Sequence, residues 1–152
     1  MEEILNETEL ANVTSQIYEI KDIYGVERPV KRLARAPQNK IGTMFEIEAS
    51  HTLKRRGYQL IEIEPKIRGL DFDVKFNGGF PKSISGEYTT TRVTNDWQRN
   101  DDIIYKLGKG KQLVDIGEVS ESWLIVNQSV SDSIKSDIFN QYHVRVKYIG
   151  EI

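Results

Sequence analysis

The sequence contains no cysteine and only two histidines, His51 and His143, in 152 residues. Without thiols there can be no disulfide, no thiolate nucleophile and no cysteine-bound zinc, and two histidines are too few for a histidine-rich metal site. Any metal must therefore be held mainly by oxygen. No apolar run approaches 18 residues, which excludes an obvious membrane-spanning helix. No basic stretch leading into an apolar one opens the chain, so no secretory signal is encoded and residence in the cytoplasm is expected. Asn6-Glu7-Thr8, Asn12-Val13-Thr14 and Asn127-Gln128-Ser129 fit the glycosylation pattern, but in that context they read as chance matches. Internal repeats, low-complexity segments and a local Ser-His-Asp motif are also missing.

What remains is an ordinary globular composition, 38% hydrophobic with a net charge of −2, suited to one domain over 1–152. The small total hides an asymmetry. Residues 1–27 carry seven acids and one lysine, net −6, whereas 28–56 carry Arg28, Lys31, Arg32, Arg35, Lys40, Lys54, Arg55 and Arg56 against Glu46 and Glu48, net +6. A basic belt of this kind suits contact with phosphate, although a solvated basic face explains it equally well.

Three segments follow from the pattern. Residues 1–38 read as an amphipathic N-terminal helix over 2–23, fit for packing or dimerisation, then an extended basic connector interrupted by Pro29 and Pro37. In the core, 39–127, a helix runs from Asn39 or Lys40 to Arg56 with a stripe of Ile41, Phe45, Ala49 and Leu53. Glu46 lies at the edge of the stripe and Glu48 nearer its middle. A strand over Tyr58–Glu64 ends at Pro65. A helix capped by Thr94 or Asn95 reaches about Leu107, a basic loop KLGKGKQ follows, and Trp123–Val126 is a buried strand. Residues 128–152 supply a helix from Ser131 to about Tyr142 and a strand over His143–Ile149.

The chemistry concentrates between Gly69 and Thr91. Leu70, Phe72, Val74 and Phe76 alternate with Asp71, Asp73 and Lys75, as in a half-buried strand, and Asn77-Gly78-Gly79 opens a turn. The return strand sets Ser83, Ser85, Glu87, Thr89 and Thr91 on one face, with Gly86 leaving room for close approach. Two acids on one strand thus neighbour an acid on the next. At 4 Å a pair of carboxylates repels by about 4 kcal/mol in an effective dielectric near 20. A solvated face, raised pKa values, a basic partner such as Lys75 or a hard divalent cation would each relieve that repulsion.

The order helix, strand, hairpin, helix, strand, with Glu46, Asp71 and Glu87 on the first helix and the second and third strands, resembles the PD-(D/E)XK, or restriction-endonuclease-like, nuclease superfamily. The likeness covers roughly Lys40 to Val126. Its opening, Lys40-Ile41-Gly42-Thr43-Met44-Phe45-Glu46 followed by Leu53 and Gly57-Tyr58, is similar to archaeal-type Holliday junction resolvases. The resemblance implies an α/β (α+β) fold with a mixed central sheet flanked by helices, here with an added N-terminal helix. It also implies Mg²⁺ or Mn²⁺ held by Asp71 and Glu87, with Glu46 in or near the shell, for phosphodiester hydrolysis. DNA is the expected substrate, with structured RNA, or nucleic-acid binding without catalysis, as alternatives. A homodimer would provide the two sites that double-strand cleavage needs. The family's Glu-x-Lys falls on Glu87-Tyr88-Thr89, so the lysine is replaced by Thr89. Either a basic residue substitutes, Lys75 first, or Thr89 orients water, or catalysis is lost. Arg28, Lys31, Arg32, Arg35, Lys40, Arg92, Gln98 and Arg99 are the expected nucleic-acid contacts.

Overall fold

The apolar alternation of the C-terminal half builds a sheet covered on both faces. The computed structural model describes residues 6–35, 40–79 and 82–152. Its main sheet has the order β1-β4-β5-β6-β7, formed by β1 (Gln59–Ile63), β4 (Val74–Asn77), β5 (Ser83–Thr89), β6 (Glu121–Val126) and β7 (Val144–Tyr148). The first three strands pair antiparallel and the last three parallel, giving a mixed α/β architecture. Among the described residues five helices flank it: α1 (Glu7–Ile20), α2 (Glu27–Arg35), α3 (Lys40–Arg55), α4 (Asp101–Asp115) and α5 (Asp132–Tyr142). No helix among those residues is long and apolar enough to cross a membrane.

Because side chains alternate along a strand, each face of the sheet has its own core. Phe45, Ala49 and Leu53 of α3 meet Val74, Phe76, Ile84, Tyr88, Trp123 and Ile125 on one face. On the other, Ile103 and Leu107 of α4 and Ile134 and Ile138 of α5 meet Leu124, Val126, Val144 and Val146. Gly110 lets α4 approach closely: a Cβ there would lie 2.4 Å from Ser122 Oγ and 2.8 Å from Val144 Cγ2.

Several expectations change. The basic connector is partly helical, as α2, because Pro29 sits in the first turn, where its missing N–H breaks no helical hydrogen bond. Pro37, and with it residues 36–39, lies outside the described residues, as do Ile4, Leu5, Phe80 and Pro81. Far from ending at Leu107, α4 runs through KLGKGKQ. Asn100 caps it by accepting from Ile103 N, and burial of Leu107, Gly110 and Leu113 outweighs a glycine cost of about 1 kcal/mol each. Much of the stripe on α1 is spent internally, since Val13, Ile17 and Ile20 pack with Ile47 and Ile63, while Leu10 is exposed. Ile41 is 62% exposed and Glu48 is exposed, whereas Glu46 is buried, because α1 and α2 cover a second side of α3.

The largest departure is in the hairpin. Glu64, Arg68 and Gly69 adopt positive φ, and residues 66–71 fold into a separate ribbon of β2 (Lys66–Ile67) and β3 (Leu70–Asp71). Phe72 turns away to pack with Ile67, Leu113 and Val119, so the strand predicted over 70–76 begins only at Val74.

Candidate active site

The break at Phe72 decides which aspartate reaches the centre. Asp73 is anchored on both sides: its N–H donates to the Gly86 carbonyl at 3.0 Å and its carbonyl accepts from Glu64 N at 2.8 Å. Its carboxylate Oδ2 accepts from Tyr88 N at 2.6 Å. Asp73 therefore lies beside Glu87, and with Glu46, Arg32, Tyr88 and Lys106 it lines a cavity of about 370 Å³ between the start of α3 and the end of β5. Asp71 is placed elsewhere. Its side chain is 81% exposed on the β2–β3 ribbon, 3.9 Å from Lys66 Nζ, and only its backbone carbonyl faces inward. The acid that the folded chain brings into this cavity is Asp73 and not Asp71, because the alternation does not run through the break.

Glu46 and Glu87 are 4% and 5% exposed. Burial, then the Glu64 carboxyl and repulsion from Asp73, pushes Glu46 up to about 10, with Arg32 opposing. Burial first and Asp73 second push Glu87 up to about 8 against the pull of Lys109. Burial outweighs the salt bridges at both, so the pocket is short of positive charge.

Two cations from flanking helices meet its carboxylates, Arg32 lining the cavity and Lys109 reaching Glu87 from behind it. Arg32 bridges Glu46 at 3.1 Å and Glu64 at 2.8 Å, and its Nε donates to Thr43 Oγ1 at 3.3 Å. Lys109 Nζ stands 2.5 Å from Glu87 Oε1 and donates to the Asp71 carbonyl at 2.5 Å. Glu87 Oε1 nevertheless finds no aligned hydrogen-bond donor among the described residues, so the Lys109 contact is an ion pair without good hydrogen-bond direction. One turn earlier, Lys106 donates to the Tyr88 carbonyl at 3.3 Å and pairs with Asp102.

Other expected residues fall outside this constellation. Lys75 pairs in register with Ser85, short of Glu87, and does not line the cavity. Thr89 is buried, and its hydroxyl accepts from Thr91 N at 3.0 Å. Arg28 is committed to Glu62 at 2.9 Å and to the carbonyls of Ile63 and Glu64, holding α2 on β1. Arg28 and Arg32 are thus internal ties, a role hidden in sequence because Glu62 and Glu64, beyond α3 in the chain, lie more than 30 residues away. Gln98 donates to Gln141, and Lys40 lies 3.8 Å from Glu9. Lys31, Arg35, Arg92 and Arg99 are exposed. Sequence reasoning missed Lys106 and Lys109, whose spacing of three, close to one helical turn, was the available signal once KLGKGK is read as helix.

Among the described residues no three His, Cys, Asp or Glu side chains are gathered closely enough to cage an ion by themselves. Magnesium asks for less, commonly one or two carboxylates completed by waters and substrate phosphate. Asp73 and Glu87 offer hard oxygens to the cavity that they line.

Two predictions arise here. Because Glu46 and Glu87 hold protons in the folded chain that the unfolded chain has released, their contribution to stability is complete below pH 4.5. It is lost as pH rises through about 8 for Glu87 and about 10 for Glu46. Urea midpoints should fall from pH 5 to pH 9, with a slope of up to about 1.4 kcal/mol per pH unit per carboxyl. Glu46→Gln and Glu87→Gln should each flatten that slope, and millimolar Mg²⁺ should stabilise the wild type more at pH 8.5 than at pH 5. Arg32→Ala should cost about 1–3 kcal/mol in urea unfolding, less than a fully buried pair because Arg32 is 35% exposed. An unchanged midpoint would show that Arg32 is not a structural tie.

A scan against protein-family models finds no match to this chain, and searches of curated proteins and of solved structures find none either.

Proposed function

We propose that the chain is a cytoplasmic, metal-dependent endonuclease of the PD-(D/E)XK, restriction-endonuclease-like kind, acting on DNA. The observation that carries this reading is the meeting of Asp73, Glu87 and Glu46 in one pocket, with the buried ammonium of Lys109 against Glu87. Asp73 takes the place first given to Asp71. Asp73 and Glu87 would hold Mg²⁺ or Mn²⁺, with Glu46 beside them. Such an ion supplies Lewis acidity toward a bound water and neutralises charge on the phosphate.

The chain's own groups do the rest. Lys109 provides the positive charge that Thr89 lacks, its ammonium buried beside Glu87, where a fixed cation acts more strongly on a nearby anion than it would in water. Phe72 and Tyr105 steady it, their ring centroids 5.2 and 4.8 Å from Nζ. Tyr88 N fixes the orientation of Asp73, and Arg32 holds Glu46. Lys31, Arg35, Arg92 and Arg99 remain available for the phosphate backbone.

Purified protein incubated with Mg²⁺ or Mn²⁺ should nick or linearise supercoiled plasmid and leave total tRNA intact, and chelation should stop the cut. Cleavage of tRNA alone would move the reading to a ribonuclease. Binding with both substrates left intact would make the fold a non-catalytic nucleic-acid module.

A further inference from the structure

A cavity of about 460 Å³ lies away from the carboxylates, on the edge strand β7 beside α5. Arg145 and Lys147 project from β7 on the face of the sheet that carries Trp123, two strands across from β5 and on the opposite face from Glu87. Lys135 of α5 completes a set of three cations around the hollow, against the single carboxylate side chain of Glu151, a net charge of +2. Ser136, Asn140 and Tyr148 add uncharged hydrogen-bonding groups.

The local acids do not discharge this set. Glu121 accepts from Arg145 Nε at 2.8 Å, but it also takes Lys82 at 2.5 Å and the Trp123 indole N–H at 3.1 Å. Glu151 reaches Lys135 at 3.6 Å. Among the described residues no carboxylate lies within ion-pair distance of Lys147; its ammonium sits 4.9 Å from the centroid of the Trp123 ring. The Arg145 guanidinium lies 4.7 Å from the Phe139 ring. Aromatic faces thus hold two cations in place while leaving them without a full counter-charge. Burial, and then Arg145, lowers the pKa of Lys147, as expected of a cation in a site that lacks an anion.

We propose that this hollow is a phosphate-binding site, filled either by a free phosphomonoester or by a phosphate of a nucleic-acid strand. A phosphomonoester carries about −1.5 to −2 charge and three strong acceptor oxygens, which suits an excess of +2 and donors converging from a strand and a helix better than a carboxylate does, whereas a nucleic-acid strand, with one charge per phosphate, would match the excess through successive phosphates. The proposal stands whether or not the carboxylate pocket is catalytic.

The test uses the full chain in EDTA, titrated by tryptophan fluorescence with inorganic phosphate and, separately, with a short single-stranded DNA lacking terminal phosphates. At least one probe should bind, and Lys147→Gln should weaken it by about tenfold or more, the loss of one charge-assisted contact. Lys135→Gln, on the more open side of the same hollow, should act in the same direction and serves if Lys147→Gln folds poorly. Asp73→Asn should leave the affinity unchanged. An effect on inorganic phosphate identifies a free phosphomonoester as the ligand, and an effect on the oligonucleotide alone identifies a strand. Failure of both probes to bind, or affinities unchanged in both lysine variants, would overturn the proposal. So would phosphate binding that is lost only in Asp73→Asn, which would place the anion in the carboxylate pocket.

Discussion

Asp73→Asn should lower metal-dependent cleavage by about 10²-fold or more, the several kcal/mol of charge stabilisation that a correctly held metal supplies, while Asp71→Asn leaves it essentially unchanged. The two residues are both aspartates, two apart, and look equivalent in the sequence. They differ in where the chain takes them. Asp73 accepts from Tyr88 N inside the cavity, and an asparagine there keeps a carbonyl oxygen to accept the same hydrogen bond, so the fold should survive while one negative charge is lost. Removing that charge also relieves Glu87 and Glu46, whose pKa values it raises, so the variant should unfold at equal or higher urea concentration at pH 8. Asp71 contributes its backbone carbonyl to Lys109, which no side-chain substitution removes. Plasmid cleavage and urea unfolding on the two purified variants decide the matter. Equal loss of activity in both would mean that the ribbon carrying Asp71 closes over the site.

Lys109→Met should be the most destabilising change in the pocket, costing about 3–5 kcal/mol at high pH because it leaves the Glu87 carboxylate buried without its partner. Below about pH 8 the cost should shrink, since Glu87 then carries its own proton and needs no counter-charge. Combining Lys109→Met with Glu87→Gln should recover most of the stability, as removal of both partners of a buried pair commonly does, yet recover no cleavage. Urea midpoints at pH 7 and pH 9 for the two single variants and the double variant measure the coupling. Wild-type turnover in Lys109→Met would assign the missing cation to another residue, with Lys106 next in line.

These two residues also show where the sequence was readable. Glu46 and Glu87 were legible because α3 and β5 are regular elements whose periodicity runs unbroken through them. β6, α5 and β7 were legible for the same reason. Asp73 was not distinguished from Asp71 because the choice hangs on the strand ending at Phe72. That break depends on left-handed backbone at Glu64 and Arg68, residue types that give no local warning of it. Lys109 was hidden by the glycines around it, which suggested a loop. Arg28 and Arg32 looked like a nucleic-acid belt because Glu62 and Glu64, more than 30 residues away in the chain, are not visible as partners until the helices dock.

Gly110 adds a consequence of a different kind. The residue that carries no side chain is next to the one that delivers the ammonium, and the lack of a methyl group sets how near α4 rests to Ser122 and Val144. An alanine there would act as a wedge under the helix, lifting Lys109 from Glu87 without altering any charged or titratable group. The site thus has a mechanical tolerance as well as a chemical composition. Variants silent in every acid and base of the pocket would still unseat Lys109 if they changed the thickness of the layer between helix and sheet.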